Sequence, residues 1–277
     1  MEVIYSLWLR DVRKYLRDKA RIFGSLAMPF IFLVLFGSGL SGSLQSMMSM
    51  GSNAGGLFSD FSYSEFMFPG IILMTSFMTA LFGALSVVED KEFGYMKEIL
   101  VAPVSRTAIA IGKILGGSTV AVMQGLIMLV FAPLIGVDLS FLMILQLLGV
   151  MIIVAFAISG IGLLLATKMK TTQGFQMIVQ MLVMPMIFLS GAMFPINGLP
   201  DWMSFVVRIN PLTYAVDMFK TIILNKEAMN PMMKQALGLD LEIWGMPVTF
   251  TAEILIYLVA SLVILFFATQ SFKHTEA

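Results

Sequence analysis

The chain has 277 residues, of which 58% are apolar and only 12% charged, about half the roughly 25% charge usual in soluble domains, so an ordinary soluble globular fold is excluded. Seventeen Lys plus Arg balance seventeen Asp plus Glu, and no net field argues for nucleic acid or another polyanionic partner. Zero cysteines rule out disulfides, thiolate metal sites and cysteine nucleophiles, and His274, the one histidine, leaves little material for histidine catalysis or metal binding.

Residues 1–21 read as an amphipathic helix lying in the membrane interface. Val3, Ile4, Leu7, Trp8, Val12, Tyr15 and Leu16 fall at helical spacing with Arg and Asp residues between them. Six apolar runs follow, each near the ~20 residues that cross a hydrocarbon core as a helix: 22–40, 66–88, 114–135, 141–166, 174–194 and 249–269, the last carrying Glu253 near its start. The predicted fold is an all-α membrane protein with six transmembrane helices. A secretory signal peptide is a competing reading of the first run, since Ser41, Gly42 and Ser43 follow it, but the charged region before it is too long. The stretch from Ser41 to Ser64 is rich in Gly and Ser and reads as a linker.

Basic residues are retained on the cytoplasmic side of a membrane. With both termini inside, thirteen Lys and Arg lie within and four outside, Arg208, Lys220, Lys226 and Lys234, all in the long segment between the fifth and sixth runs. The expected location is thus the cell membrane, multi-pass, with cytoplasmic termini.

Two connections stand out. The inner loop, 89–106, gathers Glu89, Asp90, Glu92 and Glu98 beside Lys91, Lys97 and Arg106. Gly94 and Pro103 bracket a short predicted helix from Tyr95 to Leu100 that would present Met96, Ile99 and Leu100 beside Lys97 and Glu98. Such an element suits docking into a cytoplasmic partner, and an ordinary solvated hairpin is the plainer reading. The outer segment, 195–247, holds apolar stretches too short to cross, Leu199 to Val207 and Leu212 to Leu224, broken by Pro195, Pro200 and Pro211. Runs of about 10–14 residues suit a re-entrant helical hairpin, which needs protein or a water-filled cavity around its backbone.

Ionisable groups at mid-span mark ion paths, and none stands at the centre of these runs; Lys113, Glu65 and Glu253 sit near run ends and are expected to snorkel. Uncharged amides do occur: Gln124, Gln146, and Gln173, Gln176 and Gln180 at helical spacing on one face. They read either as a polar wall of a translocation path or as interhelical hydrogen-bonding groups. Gly112 and Gly116 form a small-xxx-small pair suited to close helix packing. Twenty-five methionines, with Met47, Met48 and Met50 close together, invite a Cu(I) reading, but Met is also a flexible apolar filler and no Cys or His joins the cluster.

The two connections also carry a resemblance. Glu92, Gly94, Glu98, Leu100, Pro103 to Arg106 and Gly112-Lys113 in the first block, then Gly191, Phe194-Pro195, Leu199-Pro200 with Trp202, and Asn210, Pro211 through Tyr214 in the second, resemble the signatures of ABC-2 type permeases, the membrane subunits of ATP-binding-cassette exporters. Tyr95 stands where Thr is usual and Lys220 where Arg is common. The resemblance implies two permease copies, a homodimer, in the lipid bilayer, each docking one ATPase subunit through the inner loop as a coupling element. It implies that Glu92, Gly94, Lys97, Glu98, Leu100, Pro103 and Arg106 serve that coupling, that the second block forms the outer re-entrant motif, and that cargo is hydrophobic or amphiphilic. A polysaccharide or lipid-linked glycan cargo is the alternative. The chain has no phosphate loop, because Gly112-Lys113 is followed by Ile114 without a glycine five residues before. ATP and Mg are therefore expected on the partner, and this chain is expected to be no enzyme and to bind no metal or cofactor. An ion-coupled carrier would need a mid-membrane charged site, and a non-transporting assembly component would keep the topology without substrate-stimulated ATP hydrolysis.

Overall fold

Long apolar stretches satisfy their backbone polar groups within themselves, and in the computed structural model of the chain they do so as α-helices. The structure describes residues 2–20, 22–35, 63–101, 104–196, 199–226, 229, 234, 237, 239, 242–243 and 246–273. In chain order the helices are α1 (Glu2–Arg17), α2 (Ile22–Leu35), α3 (Tyr63–Phe82), α4 (Leu85–Glu92), α5 (Tyr95–Val101), α6 (Arg106–Leu129), α7 (Phe141–Lys168), α8 (Thr172–Phe188), α9 (Asp201–Ile209), α10 (Pro211–Ile223) and α11 (Phe250–Lys273). A 3₁₀ turn, Ala132–Ile135, follows α6. The strands among the described residues are a two-residue antiparallel ladder, β1 (Glu242–Ile243) with β2 (Met246–Pro247).

Among the described residues four helices are long and apolar enough to cross a membrane: α3 with its continuation α4, then α6, α7 and α11; α2 and α8 are shorter apolar helices. Residues 36–40 of the first predicted run, the Gly/Ser-rich linker as far as 62, Met47, Met48, Met50 and His274 lie outside the described residues. The run 66–88 is interrupted at Gly83 and Ala84, where α3 gives way to α4. The break falls where Gly83 meets Gly117 of α6 so closely that a Cβ on Gly83 would come within 2.8 Å of the Gly117 Cα, the backbone approach that small residues permit. Run 114–135 ends as an α-helix at Leu129, and Pro133 lies in the 3₁₀ turn that Gly136 closes at φ +83°.

Helix starts follow local rules. Ser105, Ser140 and Thr171 each accept a hydrogen bond from the backbone N–H three residues on, at 3.2 Å, opening α6, α7 and α8; each cap is worth about 1 kcal/mol. Phe66, Phe68, Phe77, Phe175, Phe219 and Phe272 are fully buried and tie α3, α8, α10 and α11 into one core with α6 and α7.

The amphipathic α1 does not lie free. It packs along α6, and the Gly112–Gly116 pair is its seat: Gly112 faces Leu7 and the Ile4 carbonyl, Gly116 faces Asp11. Trp8 donates its indole N–H to Thr119 at 3.0 Å, and the Tyr15 hydroxyl bonds the Gln124 amide oxygen. Lys113 and Glu253, expected to snorkel, are instead enclosed. The Lys113 ammonium donates to Ser86 at 2.7 Å and pairs with Asp90 at 3.5 Å. Helices α1 and α10 pack over these positions, and hydropathy along the chain carries no sign of that docking.

Candidate functional site

At the end of the bundle that carries the inner loop, the charged tail of α4 grips four other helices, α1, α6, α7 and α8. Lys91 donates to the Ala166 and Thr167 carbonyls at 2.9 and 2.7 Å, in the last turn of α7. Its neighbour Glu92 accepts the Thr172 N–H at 2.8 Å, at the start of α8. The adjacent cation and anion thus satisfy opposite helix ends on either side of the α7–α8 turn, each where the helix dipole favours its charge. Arg106, opening α6, donates to the Lys273 carbonyl at 2.6 Å, at the end of α11. Glu89 meets Lys14 of α1 at 3.5 Å, an exposed pair worth roughly 0–1 kcal/mol.

Between these grips Gly94 sits at φ +83° with open space where a side chain would project, so its backbone conformation and not crowding demands glycine. Helix α5 follows, and its orientation corrects one expectation: Met96 points into the core at 2% exposure, while Phe93, Tyr95 and Val101 stand out at 68%, 57% and 85%. Met96 turns inward because α4 and α5 pack together as a short hairpin against the bundle. Glu98 is exposed. The side chains of Lys97, Ile99 and Leu100, and all of Pro103, lie outside what the structure describes.

The outer block is built differently. After α8 the chain turns through Gly191 at φ +75°, and α10 holds that turn from beneath. Asn210 donates its amide to the Met186 carbonyl at 2.7 Å while its oxygen accepts the Leu212 N–H at 3.0 Å, capping α10, whose first residue Pro211 needs no N–H partner. Lys220 donates to the Gly191 carbonyl at 2.6 Å and lies 3.4 Å above the Phe66 ring. Tyr214 donates to the Arg208 carbonyl at 2.5 Å, and Tyr257 of α11 donates to the Pro211 carbonyl. Asp217 accepts Lys226 through both oxygens at 3.1 and 2.9 Å. The second predicted block is thus one connected cluster, with Phe194 and Pro200 at its exposed rim and Pro195 half-buried.

A family model described as the ABC-2 type transporter matches residues 2–224, taking in both blocks and the whole helical bundle up to the end of α10. The chain belongs to the ABC-2 type transporter family. It is similar to a putative transport permease, ycf38, of Cyanophora paradoxa, 25% identical over 219 residues that make up 77% of this chain and 72% of that protein. Nodulation protein J of Rhizobium meliloti is 27% identical over 222 residues, 79% of this chain and 80% of that one. The probable multidrug ABC transporter permease YbhR of Escherichia coli K12 is 30% identical over 175 residues, 61% of this chain and 46% of that relative. This is a multi-pass membrane permease of that family, and two of these three relatives are named as permeases.

Within this ABC-2 chain the predicted glutamines separate. Gln124 is buried and held by Tyr15, so it joins α6 to α1. Gln146 on α7 and Gln173, Gln176 and Gln180 on α8 are exposed on the surface of the single chain. Phe175, Val179, Val183 and Ile187 form the buried face of α8, which leaves the three glutamines facing away from the bundle. Residue spacing found that face and could not tell which way it points. Lys91 and Glu253 were missed as site residues, because the groups they meet lie on other helices far along the chain; Asp217 was missed although its partner Lys226 stands only nine residues on.

Proposed function

We propose that this chain is the permease subunit of an ATP-driven exporter. Two copies pair in the membrane, each binding an ATP-binding-cassette ATPase subunit on the cytoplasmic side, and ATP and Mg act on that partner. The observation that carries the reading is the inner loop, which combines exposed apolar side chains at Phe93, Tyr95 and Val101 with grips on α7, α8 and α11. A docked partner that moves α5 would pull directly on the ends of three membrane helices. Glu92, Gly94, Lys97, Glu98, Leu100, Pro103 and Arg106 serve that coupling, and Lys91 joins them.

The excess of Lys and Arg toward the inner loops supports cytoplasmic termini. Six crossings fit as well: α8, at 17 residues, rises roughly 25 Å and reaches the lower limit for a span, and α2 is a shorter apolar helix at the start of the first apolar run. Helices α9 and α10 form the outer re-entrant hairpin. The exposed glutamine face of α8 lines the seam between copies and the path beside it, since amides facing lipid would lack partners. The multidrug name of the Escherichia coli relative favours a hydrophobic or amphiphilic cargo.

The test is co-purification of the full chain with its ATPase subunit and transport in reconstituted vesicles. Loss of co-purification on Glu92→Ala or on deletion of Tyr95 to Leu100 is expected. Full transport by this chain alone without ATP would refute the proposal.

A further inference from the structure

Near the outer ends of α10 and α11 one buried group has no conventional partner. Glu253, in the first turn of α11, is 0% exposed, and among the described residues neither of its carboxyl oxygens meets an N–H or O–H donor. What it faces at hydrogen-bonding range is the carboxyl of Asp217 on α10, itself buried and already bound by Lys226 at 2.9 and 3.1 Å. Two carboxylates face to face are two acceptors with no hydrogen between them, an arrangement that a low-dielectric site tolerates only when one of them carries a proton.

Other occupants fit poorly. The cavity beside Asp217 and Lys220, bounded also by Ser190 and Thr213, measures about 10 Å³, at the limit for a single water and far below any organic ligand. Among the described residues no group of three or more His, Cys, Asp or Glu could hold a metal ion. Lys226 already occupies both oxygens of Asp217, which leaves no free carboxylate pair for a larger cation.

We infer that Glu253 and Asp217 form a proton-binding site, in which Glu253 donates one shared proton to Asp217 and that proton clasps the start of α11 to α10. The resulting chain, Glu253 to Asp217 to Lys226, gives every member a partner. Released to water, the proton leaves two adjacent negative charges in the seam, and their repulsion opens it. Around the pair stand Lys220, committed to the Gly191 carbonyl and the Phe66 ring, and the hydroxyls of Tyr214 and Tyr257, committed to the Arg208 and Pro211 carbonyls. Arg208 of α9 lies beyond Tyr214. The other helices packed on α11 are α6 and α7, whose charged side chains, Arg106, Lys113 and Lys168, lie at their opposite ends. The Tyr257 bond is a second tie between α10 and α11 and does not need the proton.

The site stands apart from the coupling proposal, and only the side of the membrane from which its proton comes rests on that reading. Infrared spectroscopy of the purified full-length chain in lipid nanodiscs tests it. At neutral pH the wild type is expected to give the carbonyl stretch of a protonated carboxyl group, which Glu253→Gln removes and Asp217→Asn displaces, because the acceptor changes from carboxylate to amide. Glu253→Gln can donate its amide N–H to Asp217, so it is expected to keep its unfolding temperature as pH rises above the ordinary carboxylate range, where the wild type loses stability. A wild type without the protonated-carboxyl band, or a band that survives Glu253→Gln, overturns the inference. In sealed vesicles, removal of the band by raising the pH on the outer side alone supports both the site and the orientation; removal from the inner side alone keeps the site and refutes the orientation.

Discussion

The two ends of the bundle solve the problem of charge in opposite ways. At the inner end Lys91, Glu92 and Arg106 spend their charge on helix termini at or near the surface, and large apolar side chains, Phe93, Tyr95 and Val101, are left standing in the open. At the outer end Asp217, Lys220 and Glu253 are enclosed, with Asp217 on Lys226, Lys220 on the Gly191 carbonyl and Glu253 against Asp217. Water screens the inner contacts, so each is weak and easily remade. The outer contacts sit where an unpaired charge is costly. An end built to exchange partners and an end built to stay closed therefore differ in dielectric setting more than in residue type.

The sharpest way to break this comparison is Lys226→Met, which strands the buried Asp217. A loss of about 3–5 kcal/mol is expected, read as a large fall in unfolding temperature or failure to purify as a monodisperse protein. Asn210→Ala removes both the cap of α10 and the bond to the Met186 carbonyl, for about 1–3 kcal/mol, read in the same assay. At the inner end the double variant Lys91→Met with Glu92→Gln is expected to leave the unfolding temperature close to that of the wild type. Co-purification of the ATPase partner is expected to be lost with it, as with Glu92→Ala, while the permease itself stays monodisperse. A stability loss as large as that of Lys226→Met would erase the distinction between the ends. Smallest in stability is the triple variant Phe93→Ser, Tyr95→Ser, Val101→Ser, expected within about 0.5 kcal/mol of wild type for each exposed position, while ATPase captured in co-purification falls about tenfold.

Much of the inner site was legible from local signals. Gly94 before a short charged segment, and Pro103 after it, are helix punctuation of a kind that depends only on near neighbours. The face that Met96 occupies was not legible, since a seven-residue helix lacks enough turns for its apolar period to choose between the bundle and a partner. Nor was the fate of Lys113 and Glu253: a charge near the end of an apolar run snorkels when nothing covers it, and here α1 and α10 do. The Gly112–Gly116 pair announced a close approach without naming α1 as the helix that makes it.

From sequence alone came the class of protein, the apolar helices, the sidedness expected from Lys and Arg, and the two blocks that carry the family resemblance. Each of these depends on composition, hydropathy or spacing, which are properties of neighbouring residues. Tertiary structure decided which polar groups meet: Lys91 with the end of α7, Lys220 with the Gly191 turn, and Glu253 with Asp217. In an apolar bundle the few polar side chains must find one another, and the docking of helices far apart in the chain determines which of them do.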